Sequence, residues 1–238
     1  FESVMAKVWN KRIFSQIKEE ANKASILLAN EKGACPDAKE YGVNERFSNK
    51  IAIAPTASIS IICGGASPGI EPIAANSFTQ KTLSGSFNVR NPHLKSLLAE
   101  KGKDNEEIWS SITINKGSVQ HLEFLEDSEK AVFKTAFELD QRRIIELAGD
   151  RTPYVCQAQS LNIFLKPDVN KRDLHMIHFS AWKRGVKSLY YLRSLSIQRA
   201  EVVSHNKKTT EVPIKGKINE GEQPYVNRLD YDECLSCQ

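Results

Sequence analysis

No run of about 18 apolar residues occurs anywhere in the 238-residue sequence, so no segment reads as a membrane-spanning helix. A secretory leader pattern is also missing, and the expectation is a soluble, cytoplasmic protein. Cysteine is scarce: there are five, and Cys35, Cys63 and Cys156 stand singly. An odd count scattered this way argues against a disulfide framework and for a reducing compartment. Neither sign of charge dominates, with Lys+Arg 33 against Asp+Glu 29, a net charge of +4 and a pI near 8.7. The two signs interleave along most of the chain, so nothing calls for a nucleic-acid partner. There is no internal repeat and no Walker loop. An initiator Met is lacking too: the chain opens Phe1-Glu2-Ser3-Val4-Met5 and runs straight into a helical pattern. The expectation is a processed chain or the C-terminal piece of a longer one.

What is present is enough apolar material, 40% of residues, for one sizeable domain or two small ones. From Val4 to Asn30 apolar residues recur at helical spacing, and Gly33 and Pro36 end that helix. Ile51-Ala52-Ile53-Ala54 reads as a short buried strand stopped by Pro55. A small-residue stretch follows, and Ile59 to Cys63 within it can open a helix. Further helices are predicted over Asn91–Leu98, Asp104–Ile112, Ser128–Ala148 and Lys171–Arg184, the last capped by Gly185. Strands are predicted at Ser160–Leu165 and Val186–Leu192. Helices alternating with single strands predict an α/β fold with crossover connections and mostly parallel pairing. After about Gln198 the composition turns polar, with Pro213, Gly216, Gly221, Pro224 and many Glu and Asn. Residues 198–238 therefore read as a flexible tail after a domain over 1–197.

Four groups of residues can carry chemistry. Cys234-Leu235-Ser236-Cys237 places two thiols at i and i+3, one residue from the end of the tail. A mobile dithiol can enter a buried site, exchange electrons there and leave to be re-reduced. The alternative is half of a zinc site, but no second CxxC or HxxxH accompanies it. As a free coil, the stretch from Gln198 to Cys234 spans roughly 30–35 Å, enough to cross a domain. Pro55-Thr56-Ala57-Ser58-Ile59-Ser60 follows a strand and precedes a possible helix. Small hydroxyl residues there suit a phosphate group, or form an ordinary N-cap with packing residues behind it. Tyr190-Tyr191 lies in an apolar strand. By alternation one ring faces the core and one the surface; otherwise the two phenols stack and relay an electron and a proton. His175 and His178 share a helix face, where packing beside Trp182 competes with metal binding for which no third ligand is evident. Cys156 is expected to be a buried small hydrophobe.

Taken together, the residues resemble the catalytic large (alpha) subunit of class I ribonucleotide reductase, from about Asn49 to Gln238. The motifs run in order: Ala54-Pro55-Thr56-Ala57-Ser58, Gly69-Ile70-Glu71-Pro72, Leu83-Ser84-Gly85 with Asn91-Pro92-His93-Leu94, and Gln157-Ala158-Gln159-Ser160-Leu161-Asn162. Trp182-Lys183-Arg184-Gly185, Leu189-Tyr190-Tyr191-Leu192-Arg193 and Glu233-Cys234-Leu235-Ser236-Cys237 complete the set. The resemblance implies the C-terminal portion of a ten-stranded α/β barrel followed by a tail. It implies that Thr56, Ala57, Ser58 and Ile59 hold the diphosphate of a nucleoside diphosphate. Family members often carry Thr or Ser where this chain has Ile59, so a hydroxyl donor is lost there, and Ser60 is the neighbouring candidate. The resemblance further implies that Tyr191 and then Tyr190 end a radical-transfer path that begins in a metal-containing small subunit. Cys234 and Cys237 would re-reduce the active-site disulfide, with thioredoxin or glutaredoxin reducing them in turn. No cofactor or metal is expected on this chain itself.

The departures matter equally. The family's Asn-x-Cys-x-Glu finger loop, with its thiyl cysteine, and the substrate-reducing cysteine pair are absent from these residues. The expectation is a chain that is inactive alone and completed by the remaining N-terminal part of the subunit, in the same or a separate polypeptide. The rival reading is a non-catalytic redox or zinc-binding interaction module, which stoichiometric zinc after reducing purification would reveal.

Overall fold

The computed structural model describes residues 1–64, 67–82 and 85–194. Helix α1 covers Val4–Lys32 and starts where Ser3 Oγ accepts the Ala6 N–H at 3.1 Å. It ends at Gly33, whose φ of 82° is a conformation glycine adopts without a Cβ penalty. The side of α1 turned inward is half polar, carrying Asn10, Asn22 and Ser25 beside Phe14, Leu28 and Ala29. Specific bonds hold it rather than apolar contact alone. Asn10 Nδ2 donates to the Leu147 carbonyl at 3.0 Å, Lys18 Nζ to the Pro153 carbonyl at 2.9 Å, and Lys7 and Lys11 pair with Asp150. Val4, Val8, Ile13, Ile17 and Leu27, which the periodicity also counts as apolar, are exposed.

After the short helix α2 (Pro36–Glu40) and a second short helix α3 (Ala57–Ile62), strands β1 (Ser77–Thr82) and β2 (Gly85–Arg90) form an antiparallel hairpin. Helices α4 (Pro92–Glu100) and α5 (Glu106–Ile114) pack beside it around Leu94, Leu98, Trp109, Ile112, Val119, Leu122 and Leu125. Asn76 is buried at the base of the hairpin and fully used. Its Nδ2 donates to the carbonyls of Gly117 and Phe133, and its Oδ1 accepts from Asn91. Gly117 is required there: φ is 80°, and a Cβ would lie 2.4 Å from that of Ala75.

The predicted long helix over Ser128–Ala148 is two helices, α6 (Asp127–Val132) and α7 (Gln141–Arg151). The interruption has local causes. The Thr135 N–H and Oγ1 both donate to Glu138 Oε2, the Ala136 N–H donates to the Ile73 carbonyl, and Asp140 caps α7 through the Arg142 N–H. Side-chain bonds of this kind compete with helix continuation.

The second core lies between α7, strand β3 (Ile163–Leu165) and helix α8 (Lys171–Lys183). It joins Ile144, Ile145 and Ala148 to Leu161, Ile163, Leu165, Ile177 and Ala181. Strand β4 (Leu192–Ser194) pairs parallel with β3, Ile163 opposite Leu192, so β3, α8 and β4 form a crossover unit. On the other edge the chain runs parallel to residues 51–53. The Ile53 N–H donates to the Ala158 carbonyl, and the Ser160 N–H to the Ile53 carbonyl. The even residues 158 and 160 face one neighbour, and the odd residues Leu161 and Ile163 face the other. This alternation makes 158–165 a central strand. Among the described residues the fold is α/β: residues 51–53, β3 and β4 pair in parallel, as the alternation of elements predicts, whereas the β1–β2 hairpin is antiparallel and departs from it. The predicted strand at Val186–Leu192 is displaced, because residues 186–191 form the approach to β4. Residues 195–238 lie outside the described part, and with them the predicted tail.

Candidate functional site

Residues 51–53 deliver the chain to the Pro55–Ser60 turn. Thr56 folds that turn back on itself: its N–H and Oγ1 both donate to the Pro68 carbonyl, at 3.0 and 3.1 Å. The Thr56 carbonyl accepts the first helical bond of α3, from the Ser60 N–H at 2.7 Å. Thr56 is therefore the N-cap, and Ala57 and Ser58 form the first turn of α3. Ile59 is exposed, whereas Ser60 is buried. The outward face at position 59 thus carries no hydroxyl, and the Ser60 hydroxyl lies on the inward side.

Tyr190 and Tyr191 come together at the end of the β3–β4 pairing. Their ring centroids are 4.2 Å apart with planes tilted by 51°. They do not divide between core and surface, being 44% and 40% exposed. Strict alternation fails here because both residues precede β4, where the chain is not yet held as a regular strand. Their backbone is nevertheless fixed. The Tyr190 N–H donates to the Leu161 carbonyl at 2.9 Å, the Tyr191 carbonyl accepts from the Ile163 N–H at 2.9 Å, and the Tyr191 N–H donates to Asn162 Oδ1 at 3.3 Å. The Arg193 guanidinium stands 5.5 Å from the Tyr191 ring centroid. The pair borders an open groove of about 440 Å³ that His178, Trp182 and Lys187 also line. On α8, Leu174, Ile177 and Ala181 face the core. Trp182, expected to pack with His178, is instead 72% exposed, and it continues a ladder of rings through Phe179 to His175.

Two buried charged groups lie behind these residues, and sequence reasoning assigned neither a role. Glu71 is only 5% exposed; its Oε1 accepts from Asn162 Nδ2, and its backbone carbonyl accepts from Ser67 Oγ. Burial raises its pKa above the ordinary 4.5, against the opposing pull of backbone N–H bonds, Asn162 and the Arg193 charge. Gly69 is what lets the carboxyl sit there, since a Cβ on it would meet Glu71 Oε1 at 2.8 Å. Arg151, also buried, gives Nε to Gln159 Oε1 and Nη1 to Asn10 Oδ1, both at 3.1 Å. Burial pushes its pKa down to about 10, although the charges of Glu71 and Asp150 oppose this. Gln159, tied in turn to Ala148 and Thr152, pairs with Ile53 and so anchors the run into the Thr56 turn. The only sequence signals were the positions of Glu71 and Gln159 inside quoted motifs.

The Glu71 shift has a sign that can be measured. A carboxyl with a raised pKa binds its proton more tightly in the folded state than in the unfolded chain. Ionising it costs stability above that pKa, and the cost fades as pH falls through it toward 4.5. Glu71→Gln is expected to raise the melting temperature near neutral pH, with the gain shrinking in acid. A melting-temperature difference that does not change with pH would contradict this.

Other expectations divide. Cys156 is not a buried hydrophobe but an exposed thiol at the turn after Tyr154. Its Sγ accepts from the Lys50 and Ile51 N–H groups at 3.1 and 3.0 Å. Burial raises its pKa, but those backbone donors outweigh it and hold the thiol below its ordinary value. Its polarity satisfies a strand edge, a role a buried hydrophobe could not fill. His175 stacks on Phe179 and His178 Nδ1 bonds the Leu174 carbonyl; among the described residues no group of three possible ligands could hold a metal. No helix among them is long and apolar enough to cross a membrane. Cys234 and Cys237 lie outside the described residues.

The described residues thus join a parallel α/β unit, a capped small-residue turn and a tyrosine pair in ring contact. The ribonucleotide reductase barrel domain matches residues 36–192. The chain is 45% identical over 210 residues to the ribonucleoside-diphosphate reductase large subunit of Invertebrate iridescent virus 6, covering 87% of this chain and 22% of that protein. To the large subunit of Danio rerio it is 35% identical over 277 residues, covering 100% and 34%. The class Id ribonucleotide reductase alpha subunit of Actinobacillus ureae superposes with a TM-score of 0.74 at 42% identity, covering 82% of this chain and 35% of that one. The chain belongs to the ribonucleotide reductase large-subunit family. It spans between a fifth and about a third of the length of these relatives.

Proposed function

We propose that this chain is the C-terminal part of the large subunit of a class I ribonucleoside-diphosphate reductase, acting in the cytoplasm to supply deoxynucleotides for DNA synthesis. The observation that carries this reading is the contact of Tyr190 and Tyr191, 4.2 Å between centroids, at a rim open to a partner. Proton-coupled electron transfer falls off steeply with distance, and two adjacent phenols in contact are what a final hop needs. Tyr191 takes an electron hole from a metal-containing small subunit and passes it to Tyr190. From there it reaches a cysteine supplied by the remainder of the large subunit. The exposed rings of Phe179 and Trp182 beside the pair offer that small subunit an apolar face.

The nucleoside diphosphate rests with its phosphates on the Thr56–Ile59 turn. The backbone N–H groups of the first turn of α3 have no partner within the helix and are available to phosphate oxygens. Ser60, the neighbouring hydroxyl residue, is buried, and its N–H is bonded to the Thr56 carbonyl. Each substrate reduction leaves a disulfide in the active site. The Cys234–Cys237 dithiol reduces it by exchange, giving up two electrons and two protons and becoming a disulfide itself. Thioredoxin or glutaredoxin then restores it. Without the cysteines that the remainder of the subunit supplies, the chain alone turns over nothing.

A backbone substitution tests the substrate turn. Ala57 is the first residue of α3, a position where proline fits because its N–H is unused by the helix. Ala57→Pro therefore deletes one phosphate donor while keeping the turn. A hydrogen bond to a charged group contributes about 1.5–3 kcal/mol, so affinity for a nucleoside diphosphate is expected to fall about 10- to 100-fold. Calorimetric titration of the complete large subunit measures it. Unchanged affinity in a folded variant would remove the turn from the substrate site.

A further inference from the structure

Asn162 is half-buried and sits between Leu161 and Ile163, the two residues that bond the backbone of the tyrosine pair. Its side-chain amide is bound at both ends. Nδ2 donates to the buried Glu71 carboxylate, and Oδ1 accepts the Tyr191 N–H. The orientation is forced, since a carboxylate only accepts and a backbone N–H only donates. Among neutral side chains of this length only asparagine offers both functions. Glu71 is itself held, its carbonyl by Ser67 Oγ and the adjoining Pro68 carbonyl by Thr56.

We infer that Asn162 is a positioning residue, a strut that fixes the Tyr190–Tyr191 backbone against Glu71 and so keeps the two phenols at transfer distance. It touches neither substrate nor a reacting atom. The inference rests on the proposed radical path, and it adds a determinant that the family resemblance did not supply. Asn162 makes no bond to the Thr56 turn, which is held by the Pro68 carbonyl, so losing the strut acts on the rate of transfer and leaves the phosphate contacts in place.

Asn162→Asp keeps the acceptor for Tyr191 but loses the donor to Glu71 and sets two carboxylates together. Two readouts follow. Exchange of the Tyr191 amide proton in the 238-residue chain is expected to speed up about tenfold. In the holoenzyme, with dithiothreitol as reductant, kcat is expected to fall at least tenfold with KM for the nucleoside diphosphate unchanged. Glu71→Gln combined with Asn162→Asp reverses the polarity of the bond, the introduced amide now donating to the introduced carboxylate, and is expected to regain both within about threefold. Asn162→Ser shortens the strut without adding charge. It serves where Asn162→Asp does not fold, with the same losses expected.

Parental kcat in the single variant overturns the inference. So does a double variant that regains exchange protection but not turnover, because Glu71's own charge is then what matters. If Tyr190→Phe or Tyr191→Phe retains turnover, the radical-path reading itself has failed, whatever Asn162 does. If those lose turnover and Asn162→Asp does not, the strut alone has failed.

Discussion

Replacing Tyr190 or Tyr191 by Phe is expected to lower ribonucleotide reduction at least 1000-fold, equivalent to about 4 kcal/mol of barrier. The substitution keeps the ring, so the 4.2 Å ring contact and the border of the groove survive. What it removes is the O–H. A phenol can release an electron and a proton together at accessible potential, whereas a phenyl ring has no such proton and is far harder to oxidise. The loss is therefore expected to be the same with thioredoxin and with dithiothreitol, since neither reductant acts on this step. Nucleoside diphosphate affinity is expected to stay within about twofold, because the Thr56 turn is bonded through Pro68 and not through either ring. Retained turnover in either variant, measured as deoxynucleotide formed per minute, would refute the radical path.

The second large effect is selective for the reductant. Cys234→Ser or Cys237→Ser is expected to cut turnover at least 100-fold with thioredoxin and to leave it nearly unchanged with dithiothreitol. A tethered dithiol meets its target at an effective concentration on the order of millimolar, which makes the exchange intramolecular. Thioredoxin is a folded protein and cannot follow a small molecule into a buried site. Serine matches cysteine in size but forms no disulfide, so either single substitution breaks the shuttle. Equal loss with both reductants would sink the shuttle role, because the tail would then be acting in some step other than re-reduction.

Much of the framework was legible because the local signals agreed. α1 and α8 begin at Ser3 and Asn170, whose side chains cap them, and α8 is followed by Gly185 at φ 73°. The split of the expected long helix was written in the sequence but outweighed by periodicity. Thr135-x-x-Glu138 has the form of a cap, and Asp140 stands immediately before α7. The β1–β2 hairpin escaped notice because its alternation is thin: Phe78, Phe87 and Val89 are nearly its only large apolar residues, and both Phe rings are exposed.

The site was legible in part. Small hydroxyl residues after a strand marked the Thr56 turn, and two adjacent tyrosines marked the pair. That the rings touch follows from tertiary pairing with Leu161 and Ile163, which no local pattern carries. Glu71, Arg151 and Asn162 were invisible as site residues. A polar residue in a loop or strand looks the same in sequence whether solvent or a buried partner satisfies it. Cys156 misled for the converse reason: a lone cysteine is usually buried, and here two backbone N–H groups hold it at the surface.

Grafting tests the account most directly. This chain would replace the matching segment of the large subunit of Invertebrate iridescent virus 6, to which it is 45% identical. Deoxynucleoside diphosphate formation would be measured with that enzyme's small subunit and dithiothreitol. If the chain carries the substrate turn and the end of the radical path, the chimera should form product at a rate within about tenfold of its parent. Tyr190→Phe in the chimera should abolish it. A folded chimera that binds nucleoside diphosphate and small subunit yet forms no product above the Tyr190→Phe background would contradict the account.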